Sequence, residues 1–309
     1  MADSEADVPQ LLQRMEGLIV ALATPLDEKG SLDLPALNRL MEAVIAGGTS
    51  CIFPLGWCGE QPLLTRSTQE AVMKETIQLA GGRVPVMMGV SEQSLPRALE
   101  LAELARTAGA DLILATPPYS YPIPQSLVFE FFKDLAAESG MPVVIYRNDE
   151  VGVGFEFETL MELSHVPGIV GVKAYAPFHE LQRYYHRMDQ PGRFAVISGD
   201  EYLYGAALGL GIKHFTMGGP GNFCPAWCTA IFQTAMSGDW DSVREKQKRL
   251  TDFCDAIYLE TDSPYAAVKY VLELLGLCSA YITSPHRTLP TDQRQKVKAA
   301  VDEFKDILA

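Results

Sequence analysis

The stretch Ile169-Val170-Gly171-Val172-Lys173-Ala174-Tyr175, bracketed by Pro167-Gly168 and Pro177, decides how the chain is read. A short apolar run with β-branched residues between breakers is a buried strand rather than a helix. Its downstream end carries an ammonium group. A lysine there either reaches for solvent or is desolvated into a nucleophile, and its surroundings decide which.

The same pattern recurs on both sides of this segment. Short apolar runs at 17–23, 50–55, 84–90, 111–115, 142–147, 194–198 and 214–217 join 169–175 to make eight expected strands. Segments with helical spacing separate them, at 34–46, 66–80, 95–108, 125–138, 157–164, 178–188 and 201–210. Repeats of about 30 residues fit right-handed βαβ units. Eight of them close into an α/β, (β/α)8 TIM barrel, whereas an open doubly wound sheet would call for a Gly-x-Gly-x-x-Gly turn after its first strand. Residues 1–16 are taken as an N-terminal lead, 17–222 as the barrel and 223–309 as a helical C-terminal region packed on it, with helices at 227–236, 241–259, 266–275 and 291–307.

Of the 309 residues, 48% are hydrophobic and 21% charged, enough apolar material for a large core. The formal net charge of −14 speaks against a nucleic-acid surface, and an acidic protein that binds an organic acid must supply local donors. The six cysteines read as reduced, buried thiols. Cys224 and Cys228 lack the second pair that a metal site needs, so no metal site is expected there. The polar, acidic start has no signal-peptide character and no apolar run is long enough to span a membrane, so a cytoplasmic location is expected.

Barrel active sites lie at the carboxyl ends of the strands. That rule collects Gly56-Trp57-Cys58-Gly59-Glu60, Thr116 to Tyr119, Tyr146-Arg147-Asn148, Lys173, Ser198-Gly199-Asp200 and Met217-Gly218-Gly219. Adjacent strand ends place Tyr146 beside Lys173, a phenol beside an amine, which suits the proton transfers of imine formation. Gly56 and Gly59 flank a turn whose amides can hold a carboxylate, although glycines after a strand are more often plain turn residues.

Together these residues resemble the dihydrodipicolinate synthase and N-acetylneuraminate lyase family of class I, lysine-dependent aldolases. The carriers of the resemblance are the Gly-x-x-Gly-Glu turn at 56–60, Thr-Pro-x-Tyr at 116–119, Tyr146, Gly-x-Lys at 171–173 and Ser198-Gly199-Asp200. It implies a Schiff base on Lys173 with a 2-oxo acid such as pyruvate, proton transfer by Tyr146, insertion of Tyr119 into a neighbouring subunit's site, a homodimer or homotetramer, and neither a metal nor an organic cofactor. The implied substrate contacts are Gly56, Trp57, Cys58, Gly59, Arg147, Ser198, Gly199 and Met217. Trp57-Cys58 replaces a hydroxyl pair usual in the family, and the arginine usual after the strand-five tyrosine is missing near Val151. Both departures point away from the lysine-pathway synthase and towards a pyruvate-type aldolase or a 2-keto-3-deoxy sugar acid dehydratase. The alternatives are 4-hydroxy-tetrahydrodipicolinate synthase proper, a catalytically silent sugar-acid-binding barrel, and a phosphate-binding barrel using Gly218-Gly219.

Overall fold

The computed structural model describes residues 8–148 and 152–308. Its strands are β1 (Gly17–Ala21), β2 (Cys51–Phe53), β3 (Met87–Gly89), β4 (Leu112–Ala115), β5 (Val143–Asn148), β6 (Ile169–Tyr175), β7 (Ala195–Ser198) and β8 (His214–Met217). Helices α1 (Val8–Arg14), α2 (Leu34–Ala46), α3 (Arg66–Ala80), α4 (Leu95–Ala108), α5 (Gln125–Ser139), α6 (Phe157–Leu163), α7 (Phe178–Met188) and α8 (Tyr204–Leu210) precede or separate them. After β8 come α9 (Gly219–Phe223), α10 (Pro225–Met236), α11 (Trp240–Tyr258), α12 (Pro264–Leu274), α13 (Thr291–Glu303) and α14 (Lys305–Leu308).

All strand pairings in the sheet are parallel, in the order β2-β1-β8-β7-β6-β5-β4-β3, and a bridge between Ile52 and Val86 brings its two ends together. This is a (β/α)8 TIM barrel. Strand alternation divides the core in two: Ile19, Phe53, Leu114, Val144 and Ile197 fill the barrel, while Val20, Ile52, Ile113, Ile145 and Val196 face the helices. Helix starts follow side-chain caps, Asp33 accepting from Ala36 N at 3.0 Å and Thr65 from Thr68 N at 3.2 Å.

The segment taken as a lead contains α1, and Val8, Leu11, Leu12 and Met15 stand at helical spacing along it. Leu12 and Met15 are buried in the inner cluster and close the amino-terminal end of the barrel. The C-terminal helices pack on the barrel's outer layer through Phe253, Ile257, Val271 and Leu272. Among the described residues, no helix is long and apolar enough to cross a membrane.

Candidate active site

Lys173 reaches the barrel interior through an irregularity in β6. Val143 pairs with Ile169, but Val144 pairs with Gly171, so the β6 segment carries one extra residue at Val170. A bulge shifts the alternation by one residue and re-aims everything downstream of it. Val170 faces inward, Val172 and Ala174 face the helices, and Lys173 enters the cavity beside its register partner Tyr146. Only glycine fits at 171, since a Cβ there would lie 2.7 Å from the Ala195 carbonyl oxygen.

The Lys173 Nζ lies 3.7 Å from the centroid of the Tyr146 ring, and the residue is 5% exposed. Among the described residues no carboxylate comes within ion-pair distance of it. Burial brings its pKa down from the ordinary 10.5 to about 7, opposed only in part by the field of Glu201. A substantial fraction of the amine is therefore unprotonated, as nucleophilic attack requires. Gly199 leaves the amine its space, because a Cβ at that position would stand 3.0 Å from Nζ.

The cavity above Lys173 has a volume of about 390 Å³. Trp57, Cys58, Asn148, Gly199 and Thr216 line it from the strand ends, and Tyr258, Leu259, Pro264, Tyr265 and Val268 from α11, the loop after it and α12. The C-terminal region thus completes the cavity. That contribution comes from residues remote in sequence and has no local signature. Glu60 anchors it: its carboxylate meets Lys269 of α12 at 3.0 Å and accepts from Thr283 N at 2.7 Å, while the Lys269 ammonium also donates to the Thr24 carbonyl.

In the turn after β2, the amides of Trp57, Cys58 and Gly59 have no hydrogen-bond acceptor among the described residues. The indole N–H of Trp57 is buried and lacks one as well. Four donors therefore lie in or beside the turn at the cavity wall. Gly56 and Gly59 serve the turn by close packing: their missing Cβ atoms would stand 2.8 Å from the Phe53 ring and 3.0 Å from the Leu22 carbonyl oxygen. Burial pushes the Cys58 thiol up to about 12, so it stays neutral.

Other expected contacts lie elsewhere. Arg147 follows Tyr146 by one residue and so faces the helices, where it meets Glu180 at 2.7 Å and packs over the Tyr184 ring. Met217 joins the outer core, and Thr216 takes its place at the cavity. Ser198 is buried one residue after the inward Ile197, hence on the outward side. Tyr119, expected at a neighbouring subunit's site rather than its own, stands behind Trp57 with ring centroids 5.8 Å apart. Val151 lies outside the described residues.

Asp200, the acid directly after β7, lines the cavity and accepts from the Tyr202 amide at 2.9 Å. Its neighbour Glu201 lines the cavity as well, together with Tyr258 of α11. Burial raises the pKa of both Glu201 and Tyr258.

The model of the dihydrodipicolinate synthetase family matches residues 14–304. A 4-hydroxy-tetrahydrodipicolinate synthase of Acidovorax sp. (strain JS42) is 32% identical over 93% of this chain and 96% of its own. The dihydrodipicolinate synthase of Bacteroides thetaiotaomicron superposes with a TM-score of 0.88 at 30% identity, covering 94% of this chain and 98% of that one. The chloride-inhibited synthase of Acinetobacter baumannii, solved with pyruvate, gives 0.87 at 26% identity, covering 94% and 99%. With its buried amine at the mouth of β6 and a family match over nearly its whole length, this chain belongs to the dihydrodipicolinate synthetase family and is a class I, lysine-dependent lyase.

Proposed function

We propose that the protein forms a Schiff base between Lys173 and the keto carbon of a 2-oxo acid, and acts on that acid as an aldolase or dehydratase. One observation carries the reading: a desolvated lysine without a carboxylate partner, its amine 3.7 Å from the Tyr146 ring and facing a cavity. The unprotonated amine attacks C2, and Tyr146 moves the protons that turn the carbinolamine into an imine and take one from C3. The substrate carboxylate sits on the amides of Trp57, Cys58 and Gly59 with the indole N–H beside them, which does without the missing hydroxyl pair. The imine then accepts the C3 electrons, and the enamine breaks or makes a bond at C3 or expels a group from C4.

Among the described residues the cavity lining holds no arginine and two acids, Asp200 and Glu201. A second carboxylate on the substrate is disfavoured there, which supports a hydroxylated 2-oxo acid over the semialdehyde condensation for which the relatives are named. Exposed Tyr121 and Leu127, close in sequence to Tyr119, support a homo-oligomer built on that face.

Borohydride reduction with pyruvate tests the imine. The expected result is a covalent adduct on the peptide containing Lys173, lost in Lys173→Ala. An unlabelled wild-type protein across a panel of 2-oxo acids sinks the reading.

A further inference from the structure

A second cavity, also of about 390 Å³, lies at the amino-terminal end of the barrel, away from Lys173. It opens between α1, the turn joining α7 to β7, and the first residues of β7 and β8. The Schiff-base chemistry makes no use of it.

His214, the first residue of β8, lines this cavity and is 9% exposed. Its Nε2 stands 2.9 Å from the Leu12 carbonyl oxygen. A carbonyl oxygen only accepts, so that nitrogen carries the proton, and in the neutral ring Nδ1 is left with a lone pair. Burial favours the neutral ring, opposed by the Leu12 hydrogen bond and by the charges of Asp189 and Glu16. Among the described residues Nδ1 has no hydrogen-bond partner. A buried polar atom left unpaired beside a cavity marks a place for a donor from outside.

The other polar groups of the lining ask for the same kind of partner. Asp189 spends one carboxylate oxygen on the Val196 amide at 2.9 Å, and its other oxygen has no partner among the described residues. Burial raises its pKa, so a cation beside it would be doubly favourable. Glu16 and Lys213 face each other at 3.2 Å and offset one another's charge, which leaves the lining negative through Asp189. The Tyr185 hydroxyl also has no partner among the described residues, and Gly211 makes room for it, since a Cβ there would stand 2.5 Å away. Pro9, Leu12 and Phe194 supply an apolar wall. Among the described residues no group of three His, Cys, Asp or Glu side chains could hold a metal ion.

We infer that this cavity binds a primary alkylamine as its ammonium ion, with the charged end on Asp189, His214 Nδ1 and the Tyr185 hydroxyl and the alkyl stem along Pro9, Leu12 and Phe194. An ammonium has three N–H donors and no acceptor, which matches three acceptors left over in the lining. An alcohol of the same length donates only once, and an anion would face two carboxylates. The occupant would touch α1, the turn before β7 and the start of β8 together, so it would hold α1 over the end of the barrel and raise the protein's stability by mass action.

The test is calorimetric titration of the full chain with 1-aminopentane, and with pentan-1-ol as its uncharged match. The amine should bind saturably with a dissociation constant of about 1 mM, and the alcohol about tenfold more weakly or not at all. Asp189→Asn keeps an oxygen for the Val196 amide and drops the charge, and should weaken the amine about tenfold or more. Tyr185→Phe changes only a half-buried hydroxyl and should weaken it a few-fold, and it decides the matter alone if Asp189→Asn unfolds. No saturable binding at about ten times the expected constant overturns the inference. So does an alcohol that binds as well as the amine, and so does undiminished binding in the folded variants, which would put the amine elsewhere on this acidic protein. None of these results bears on the imine at Lys173.

Discussion

Two lysines are buried in this molecule to nearly the same degree, and they have opposite surroundings. Lys269 is 1% exposed and meets Glu60 at 3.0 Å, with the Thr24 carbonyl as a further acceptor. Lys173 is 5% exposed, faces an aromatic ring and has no carboxylate in reach among the described residues. A buried amine with an anion beside it forms an ion pair that ties elements together. Without one, burial removes its proton and leaves a nucleophile. The first lysine locks α12 to the turn after β2, and the second faces the cavity at the strand ends.

Removing one member of the paired site should be costly. Lys269→Met leaves the Glu60 carboxylate buried and uncompensated, and the expected loss is about 3–5 kcal/mol of unfolding free energy, read by denaturant titration. Adding Glu60→Gln to the same chain should recover part of that loss, because the orphaned charge is gone. Equal stability of the single and double variants would mean that the pair is not what holds the two elements.

The unpaired site should instead declare itself in pH. With its pKa near 7, the fraction of neutral Lys173 falls about tenfold for each unit below that, so pyruvate trapping at pH 5 should run about 100-fold slower than its plateau above pH 8. Stability follows the same group. The unfolded chain holds this proton up to about pH 10.4 and the folded protein only to about 7, so burial of Lys173 opposes folding at low pH and ceases to do so as pH rises through that window. A trapping rate that climbs only above pH 9 would place the amine in an ordinary environment and erase the contrast with Lys269.

The bulge that aims Lys173 can be broken directly. Gly171→Ala puts a Cβ 2.7 Å from the Ala195 carbonyl oxygen, a backbone atom that has no cheap way to retreat. A stability loss of about 1–3 kcal/mol is expected, with a fall in trapping rate beyond what the lost stability explains, since β6 must shift to relieve the contact. Trapping at the wild-type rate would show that the register of β6 does not set the lysine's aim.

Much of this was legible in the residues. Eight apolar runs at βαβ spacing specify the barrel, and the rule that barrel sites lie at the carboxyl ends of strands brings Tyr146 and Lys173 together. Helix α1 was legible too, since Val8, Leu11, Leu12 and Met15 follow the helical period, but seven residues among polar neighbours give a weak signal. The bulge in β6 was not, because register belongs to a pair of strands and one sequence shows only the glycine inside it. Nor was the entry of Glu201 into the cavity lining beside Asp200, because it depends on the 3-10 turn that Asp200 caps. Tyr258 reaches the cavity from α11, and no local pattern reports a contact of that range.

Arg147 extends the comparison to a third buried cation and gives its mildest test. It is 3% exposed, yet it follows the inward Tyr146 by one residue, and alternation sends it to the helix layer against Glu180 and Tyr184. Arg147→Met keeps most of the buried aliphatic volume and removes the charge. Glu180 is a third exposed and still accepts from the Tyr184 hydroxyl at 2.9 Å, so the cost should be about 1–2 kcal/mol, below that of Lys269→Met. Pyruvate trapping should keep its half-saturating concentration within about twofold, because the guanidinium does not line the cavity. A rise of tenfold or more in that concentration at unchanged stability would bring Arg147 back among the substrate contacts, and would mean that the unpaired lysine has a cationic partner in its work after all.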